Sequence, residues 1–206
     1  MIIEIKKLSF VYAGGPTIFN DISFSVSRGQ IICIIGPNGV GKTTLLNCMA
    51  NLLTPKSGEI LLDGKSLIQM KAKEIANKIA YVPQFIVPSF AYEVLSYVVT
   101  GCAPRLGTFE KPKREHYKLA ERALEQMGIS HLAHKYYTQI SGGERQQVSI
   151  ARALVQKPRV ILMDEPTAHL DYGNQIKVLK IIKKLAAEGY AAVITTHNPD
   201  HALLLG

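Results

Sequence analysis

Five consecutive apolar residues, Ile31-Ile32-Cys33-Ile34-Ile35, run directly into Gly36-Pro37-Asn38-Gly39-Val40-Gly41-Lys42-Thr43-Thr44. A short, continuously apolar, β-branched run is the pattern of a strand buried on both faces of a parallel sheet. Leu45, Cys48, Met49 and Leu52 then recur at helical spacing. The loop between strand and helix matches G-x-x-x-x-G-K-[ST] throughout. Its glycines let the backbone wrap closely, so successive N–H groups point inward as a nest. The helix that starts near Lys42 adds the positive end of its dipole. Gly36, Pro37, Asn38, Gly39, Val40 and Gly41 therefore form an expected cradle for a triphosphate. Lys42 is expected to reach the β- and γ-phosphates, Thr43 to ligate Mg²⁺, and Thr44 to add a phosphate contact.

A second buried run, Val160-Ile161-Leu162-Met163, ends in Asp164-Glu165. A carboxylate at the end of a buried strand can hold Mg²⁺ through its water shell, opposite a phosphate loop. Asp164 is expected in that role. Glu165, one residue further, is placed to polarise an attacking water as general base.

The rest of the chain alternates between strand and helix patterns. Ile3, Ile5, Leu8, Phe10 and Tyr12 mark a first strand, and Phe19 to Val26 a second. Gly58 to Gly64 and Ile79 to Val82 give two more. From Phe85 to about Ile140 the composition shifts toward Lys, Glu, Ala, Leu and Tyr, with helical runs near Tyr92–Thr100 and Glu115–Met127, which predicts a mostly helical insertion. Amphipathic helices follow Gly142-Gly143 and span Val178 to Leu185, and Ala191 to Thr196 is a third buried strand. The alternation implies an α/β core around a parallel sheet.

Composition narrows the class. The chain has 206 residues, 47% hydrophobic and 19% charged, which argues against disorder. No apolar run approaches the ~18 residues of a membrane span, and the N-terminus lacks the pattern of a secretory signal. Cys33, Cys48 and Cys102 match neither a disulfide framework nor a zinc site, which points to a reducing cytosol. The formal charge of +8 suits anionic partners without choosing among them.

Ile140-Ser141-Gly142-Gly143-Glu144-Arg145-Gln146 is a second helix N-terminus built for an anion, bearing Ser and two Gly. This stretch resembles the signature motif of ABC-type ATPases, with Ile140 where Leu is usual and Glu144 where Gln is commonest. Further matches follow in the family's order. Gln84 resembles the Q-loop glutamine, Leu170-Asp171 the D-loop, His197 the switch histidine, and Tyr12 the aromatic that stacks on adenine. The resemblance covers essentially the whole chain. It implies a P-loop NTPase (RecA-like) fold: an α/β core with a mostly parallel sheet, an N-terminal antiparallel β subdomain and a helical insertion. Residues 1–84 and 141–206 would form the nucleotide-binding core, and 85–140 the helical signature subdomain.

The resemblance also implies a head-to-tail ATPase dimer working on ATP and Mg²⁺. One subunit's phosphate loop would bind ATP, and Ser141, Gly142, Gly143 and Glu144 of the other would close over the γ-phosphate, with Asp171 contacting the dimer partner as well as capping its helix. Gln84 would join Thr43 and Asp164 at Mg²⁺, and His197 would contact the γ-phosphate. Thr167 to Gln175, Thr196 to Ala202 and Gly101 to Gly107 look like the ATPases of iron-siderophore, haem and cobalamin importers. That similarity implies a subunit bound at the inner face of the cell membrane to integral permease subunits, indirectly serving a substrate-binding protein, with no nucleic-acid partner. A soluble ABC ATPase acting on ribosomes or nucleic acid is the alternative. A small-molecule P-loop kinase would leave Ser141–Gln146 unexplained. The chain ends nine residues after His197, where relatives usually continue, so either the sheet lacks its last strands and leaves an exposed edge or the sequence is a truncated form, the favoured expectation.

Overall fold

The computed structural model describes residues 1–84, 91–107 and 109–206. The predicted start of the helical insertion at Phe85 lies outside the described residues. The chain opens with β1 (Ile3–Val11), β2 (Thr17–Val26), β3 (Ile31–Ile35), α1 (Lys42–Met49), β4 (Ser57–Leu62) and β5 (Lys65–Ser66). It continues through α2 (Ala72–Ala76), β6 (Ile79–Val82), α3 (Val94–Val99), α4 (Arg114–Gln126) and α5 (Gly142–Val155). β7 (Val160–Met163), α6 (Tyr172–Ala187), β8 (Ala191–Thr196) and α7 (Pro199–Leu205) complete it.

Two sheets result. One is antiparallel in the order β2-β1-β4-β5, and the other is parallel in the order β3-β8-β7-β6. The parallel strands are short and apolar because both faces are covered. Their side chains alternate between two cores. Val160 and Leu162 of β7, with Ala191 and Val193 of β8, face a core shared with α1 and the antiparallel sheet. Ile161 and Met163, with Ala192 and Ile194, face a core shared with α3, α4, α5 and α6.

The expected burial of Ile31–Ile35 needs correction. β3 is one of the two edge strands of the parallel sheet among the described residues, paired only with β8. Its residues are half-buried, and Ile35 is 48% exposed. An apolar run specifies a strand, but its burial depends on how many neighbours the sheet supplies. The predicted helical run at Tyr92–Thr100 is α3 continued by a tighter 3₁₀ segment over Thr100–Arg105, which contains Pro104. Pro lacks the N–H that an α-helix interior requires.

Close approach of backbones seats the helical region on α5. Arg152 Nε donates to Thr100 Oγ1 at 2.9 Å, and its guanidinium lies 5.3 Å from the Tyr97 ring centroid. Gly101 packs so tightly that a Cβ there would collide with the Arg152 carbonyl oxygen. Gly101→Ala is expected to lower the unfolding free energy by about 2–3 kcal/mol through overpacking, read as a lower urea midpoint.

Candidate nucleotide site

The C-terminal ends of β3, β7 and β8 come together at one end of the parallel sheet. The loop after β3 passes through Gly41, whose φ of 101° is left-handed and which lies so near Ile18 that a Cβ would sit 2.5 Å from its methyl. Only Gly meets both demands at low cost. α1 begins at Lys42, so the N-terminal N–H groups of that helix open into the loop as expected. The loop borders a cleft of about 330 Å³ lined by Tyr12, Ile18, Asn38, Gly39, Gly41, Lys42, Thr43, Thr44, Gln84 and Glu165.

Charge is concentrated in one contact. Lys42 Nζ lies 3.1 Å from Glu165 Oε1, and donates to the carbonyl oxygens of Gly36 at 2.8 Å and Pro37 at 3.0 Å. Both charged side chains are more than nine-tenths buried. The other oxygen of Glu165 lies 3.2 Å from His197 Nδ1. The carboxylate therefore bridges the phosphate-loop lysine and the histidine after β8.

Glu165 sits in the left-handed region at φ 44°, which is costly for a non-glycine residue. Thr195, wholly buried in β8, holds it there. The Thr195 hydroxyl accepts the Glu165 N–H at 2.9 Å and donates to Asp164 Oδ1 at 2.7 Å. The Tyr81 hydroxyl approaches Asp164 Oδ2 at 3.4 Å. Burial, then the negative charge of Asp164, pushes the Tyr81 hydroxyl pKa well up, so it stays a neutral donor. Neither Thr195 nor Tyr81 was singled out from sequence. The available signal was a threonine pair closing an otherwise apolar strand, since a buried hydroxyl requires a partner.

Tyr12 lines the cleft 47% exposed, packed edge-on against Phe10, with its hydroxyl 3.3 Å from Thr44 Oγ1. The Thr44 hydroxyl expected at phosphate is thus shared with Tyr12. Thr43 is exposed at the cleft. Thr43, Asp164 and Gln84 offer hydroxyl, carboxylate and carboxamide oxygens, a hard donor set that suits Mg²⁺. Among the described residues no cluster of three His, Cys, Asp or Glu forms a cage for a metal. Few protein ligands fit an ion that keeps waters and takes substrate phosphates.

The signature residues stand apart from this cleft. Ser141 caps α5: its Oγ accepts the Glu144 N–H at 3.3 Å, and the Glu144 carboxylate accepts the Ser141 N–H at 2.7 Å. That backbone donor holds the Glu144 carboxyl below its usual range. The cap leaves the N–H groups of Gly142 and Gly143 without helical partners. Gly142 instead borders a separate cavity of about 140 Å³, with Pro83, Gln84, Ser149, His169 and Leu170 among its walls. Gln84 thus touches both cavities. Asp171 caps α6, accepting the Asn174 N–H at 2.9 Å, and this bond lowers its pKa. Both carboxylate caps stabilise the fold above the ordinary carboxylate range and are lost as pH falls through their lowered values.

This arrangement belongs with a known family. The family model described as "ABC transporter" matches residues 19–168. An uncharacterized ABC transporter ATP-binding protein of Haemophilus influenzae is 43% identical over 206 residues, covering 100% of this chain and 78% of that protein. The probable iron chelatin transport ATP-binding protein of Helicobacter pylori is 38% identical, over 97% of this chain and 79% of that one. The molybdate import ATP-binding protein MolC of Haemophilus influenzae is 35% identical, over 98% and 76%. Among solved structures, a transporter assigned to the metal-chelate type, in an inward-facing conformation, aligns with a TM-score of 0.88 at 34% identity, over 100% of this chain and 76% of that one. The chain is a member of the ABC transporter family, as its ATP-binding subunit. It is an ATPase, and the expected α/β P-loop fold is the one observed. Among the described residues no helix is long and apolar enough to cross a membrane.

Thr195→Val keeps the shape of the side chain but leaves Asp164 Oδ1 and the Glu165 N–H without this partner. It is expected to lower the unfolding free energy by about 1–3 kcal/mol, measured by urea denaturation.

Proposed function

We propose that this ATPase energises import of a metal chelate of the iron-siderophore, haem or cobalamin type through a membrane permease. The single observation that carries the hydrolytic part is the Lys42–Glu165–His197 contact. Three groups from three elements meet where the end of a triphosphate in the Gly36–Thr44 loop would lie. On binding, the phosphates take over Lys42 Nζ from the Gly36 and Pro37 carbonyls and from Glu165. The freed Glu165 carboxylate then accepts a proton from a water whose oxygen attacks the γ-phosphorus. The bond from that phosphorus to the β–γ bridging oxygen breaks, leaving ADP and phosphate. His197 orients the γ-phosphate, and Tyr12 stacks on adenine. Thr43, Asp164 and Gln84 would hold Mg²⁺, which would supply positive charge against the negative charge that develops on the phosphates.

Ser141, Gly142, Gly143 and Asp171 act on the nucleotide of a second subunit, in a head-to-tail pair we take to be a homodimer. The separation of the signature cap from the cleft supports this, because neither anion site alone encloses a triphosphate. The helical segment, residues 85–140, works as a lever against the core formed by 1–84 and 141–206. An apolar groove of about 380 Å³ between the two, walled by Ala50, Leu52, Ala72, Ile75, Thr100 and Pro104, is where we place the permease contact. Relative motion of its walls would change its width. The subunit then sits at the inner face of the membrane, and a substrate-binding protein is served only through the permease. The iron-chelatin relative and the metal-chelate structural neighbour support the cargo class.

Lys42→Ala is expected to abolish ATP hydrolysis. Glu165→Gln should bind ATP and dimerise, with turnover lower by about 10²–10⁴-fold, the usual contribution of a general base. Phosphate release and light scattering measure the two effects. Near-normal turnover in either variant would overturn the site assignment. Copurification of the tagged chain is expected to recover a multi-span membrane protein, whereas recovery of ribosomes or nucleic acid alone would overturn the transport role.

A further inference from the structure

Two stretches beside the candidate nucleotide site, Leu170–Gln175 and Thr196–Ala202, meet at His201, a side chain that site does not use. This side chain is 5% exposed, in the first turns of α7. Its Nδ1 lies 2.9 Å from Thr196 Oγ1 and 3.2 Å from Thr167 Oγ1. Its Nε2 lies 3.4 Å from Gln175 Oε1 and 3.4 Å from Asn198 Nδ2. Each partner belongs to a segment with a job elsewhere. Thr167 is two residues beyond Glu165, on the exit of β7. Thr196 immediately precedes His197, on the exit of β8. Gln175 lies in the first turns of α6, and its Nε2 donates to the Leu170 carbonyl at 2.9 Å, next to Asp171.

We propose that His201 is a positioning residue for ATP hydrolysis, tying the exits of β7 and β8 to each other and both to the Leu170–Asp171 turn. The inference rests on the reading of Glu165 and His197 as the hydrolytic pair. Burial, reinforced by the charge of His197, lowers the His201 pKa, so the ring is held neutral. A neutral ring carries one N–H. On Nε2, that proton is donated to Gln175 Oε1, and Nδ1 accepts a threonine hydroxyl. On Nδ1, it is donated to a threonine oxygen, and Nε2 accepts from Asn198. Hydroxyls both donate and accept, so Nδ1 keeps a threonine partner in either tautomer, with both hydroxyls within 3.2 Å of it. The Glu165–His197 contact of 3.2 Å has no backbone hydrogen bond between Glu165 and His197 themselves to fix it. The Thr167–His201–Thr196 clamp supplies a fixed span directly behind it. A hydrolytic pair misplaced by 1 Å loses rate far more than it loses ligand.

The test uses the purified full chain, with His201→Leu, His201→Asn, Gln175→Leu and, as reference, Glu165→Gln. Steady-state phosphate release gives kcat and KM, and fluorescent ATP-analogue titration gives affinity. His201→Leu is expected to lower kcat at least tenfold with nucleotide affinity within twofold. His201→Asn restores a polar pair at the Nδ1 position and is expected to recover kcat to within about threefold of the parent. Gln175→Leu is expected to show a smaller kcat loss with the same unchanged affinity. If His201→Leu does not fold, the comparison of His201→Asn with Gln175→Leu decides. Parental kcat in the Leu variants, with Glu165→Gln silent, overturns the role of His201 alone. A loss seen only as weaker nucleotide binding also overturns it. Activity in Glu165→Gln would overturn the underlying site reading instead.

Discussion

The parallel pairing of β7 between β6 and β8 is the constraint from which the site follows. It puts Met163 beside Val82 on one side and Ile194 on the other. The residues just beyond those pairs are Asp164, Pro83-Gln84 and Thr195–His197. Sheet register alone thus delivers a carboxylate pair, a carboxamide and a histidine to one end of the sheet. The register is fixed because β7 alternates its side chains between two separate cores. A slip of one residue would exchange Val160 and Leu162 with Ile161 and Met163, and turn Asp164 to the opposite face.

Within that frame, the electrostatics are local and mutually satisfied. Lys42 is buried with a carboxylate and two carbonyls around its ammonium group. A buried charge without such partners is costly, and removing one partner of a buried pair is commonly destabilising by about 3–5 kcal/mol. Asp164 is held by the Thr195 hydroxyl and approached by that of Tyr81, both neutral donors. The polar groups at the strand ends are therefore a connected network. Its members come from positions 36 to 201, far apart in sequence.

The candidate phosphate loop was legible in sequence because its motif is local: its glycines, lysine and threonine lie within one short stretch of chain, and the flanking strand and helix have distinct periods. Asp164 and Glu165 were legible for the same reason, as polar residues closing an apolar run. Thr195 and Tyr81 were not, since their importance lies in what faces them across neighbouring strands. The burial of β3 was misjudged for a related reason. Ile31–Ile35 records apolarity, while burial is decided by strand order, which a single run of residues does not encode. His201 stood within a quoted stretch, yet its partners at Thr167 and Gln175 are defined only by folding.

The salt bridge between Lys42 and Glu165 has a consequence for the protein between turnovers. On the proposed reading the carboxylate stands in for phosphate at Lys42, so the ammonium is already paired within the protein. A triphosphate bound there would compete with a tethered anion whose local concentration never falls. Part of the affinity of the loop for triphosphate would then go into displacing it. The same contact keeps the buried Lys42 ammonium compensated by the protein's own chain.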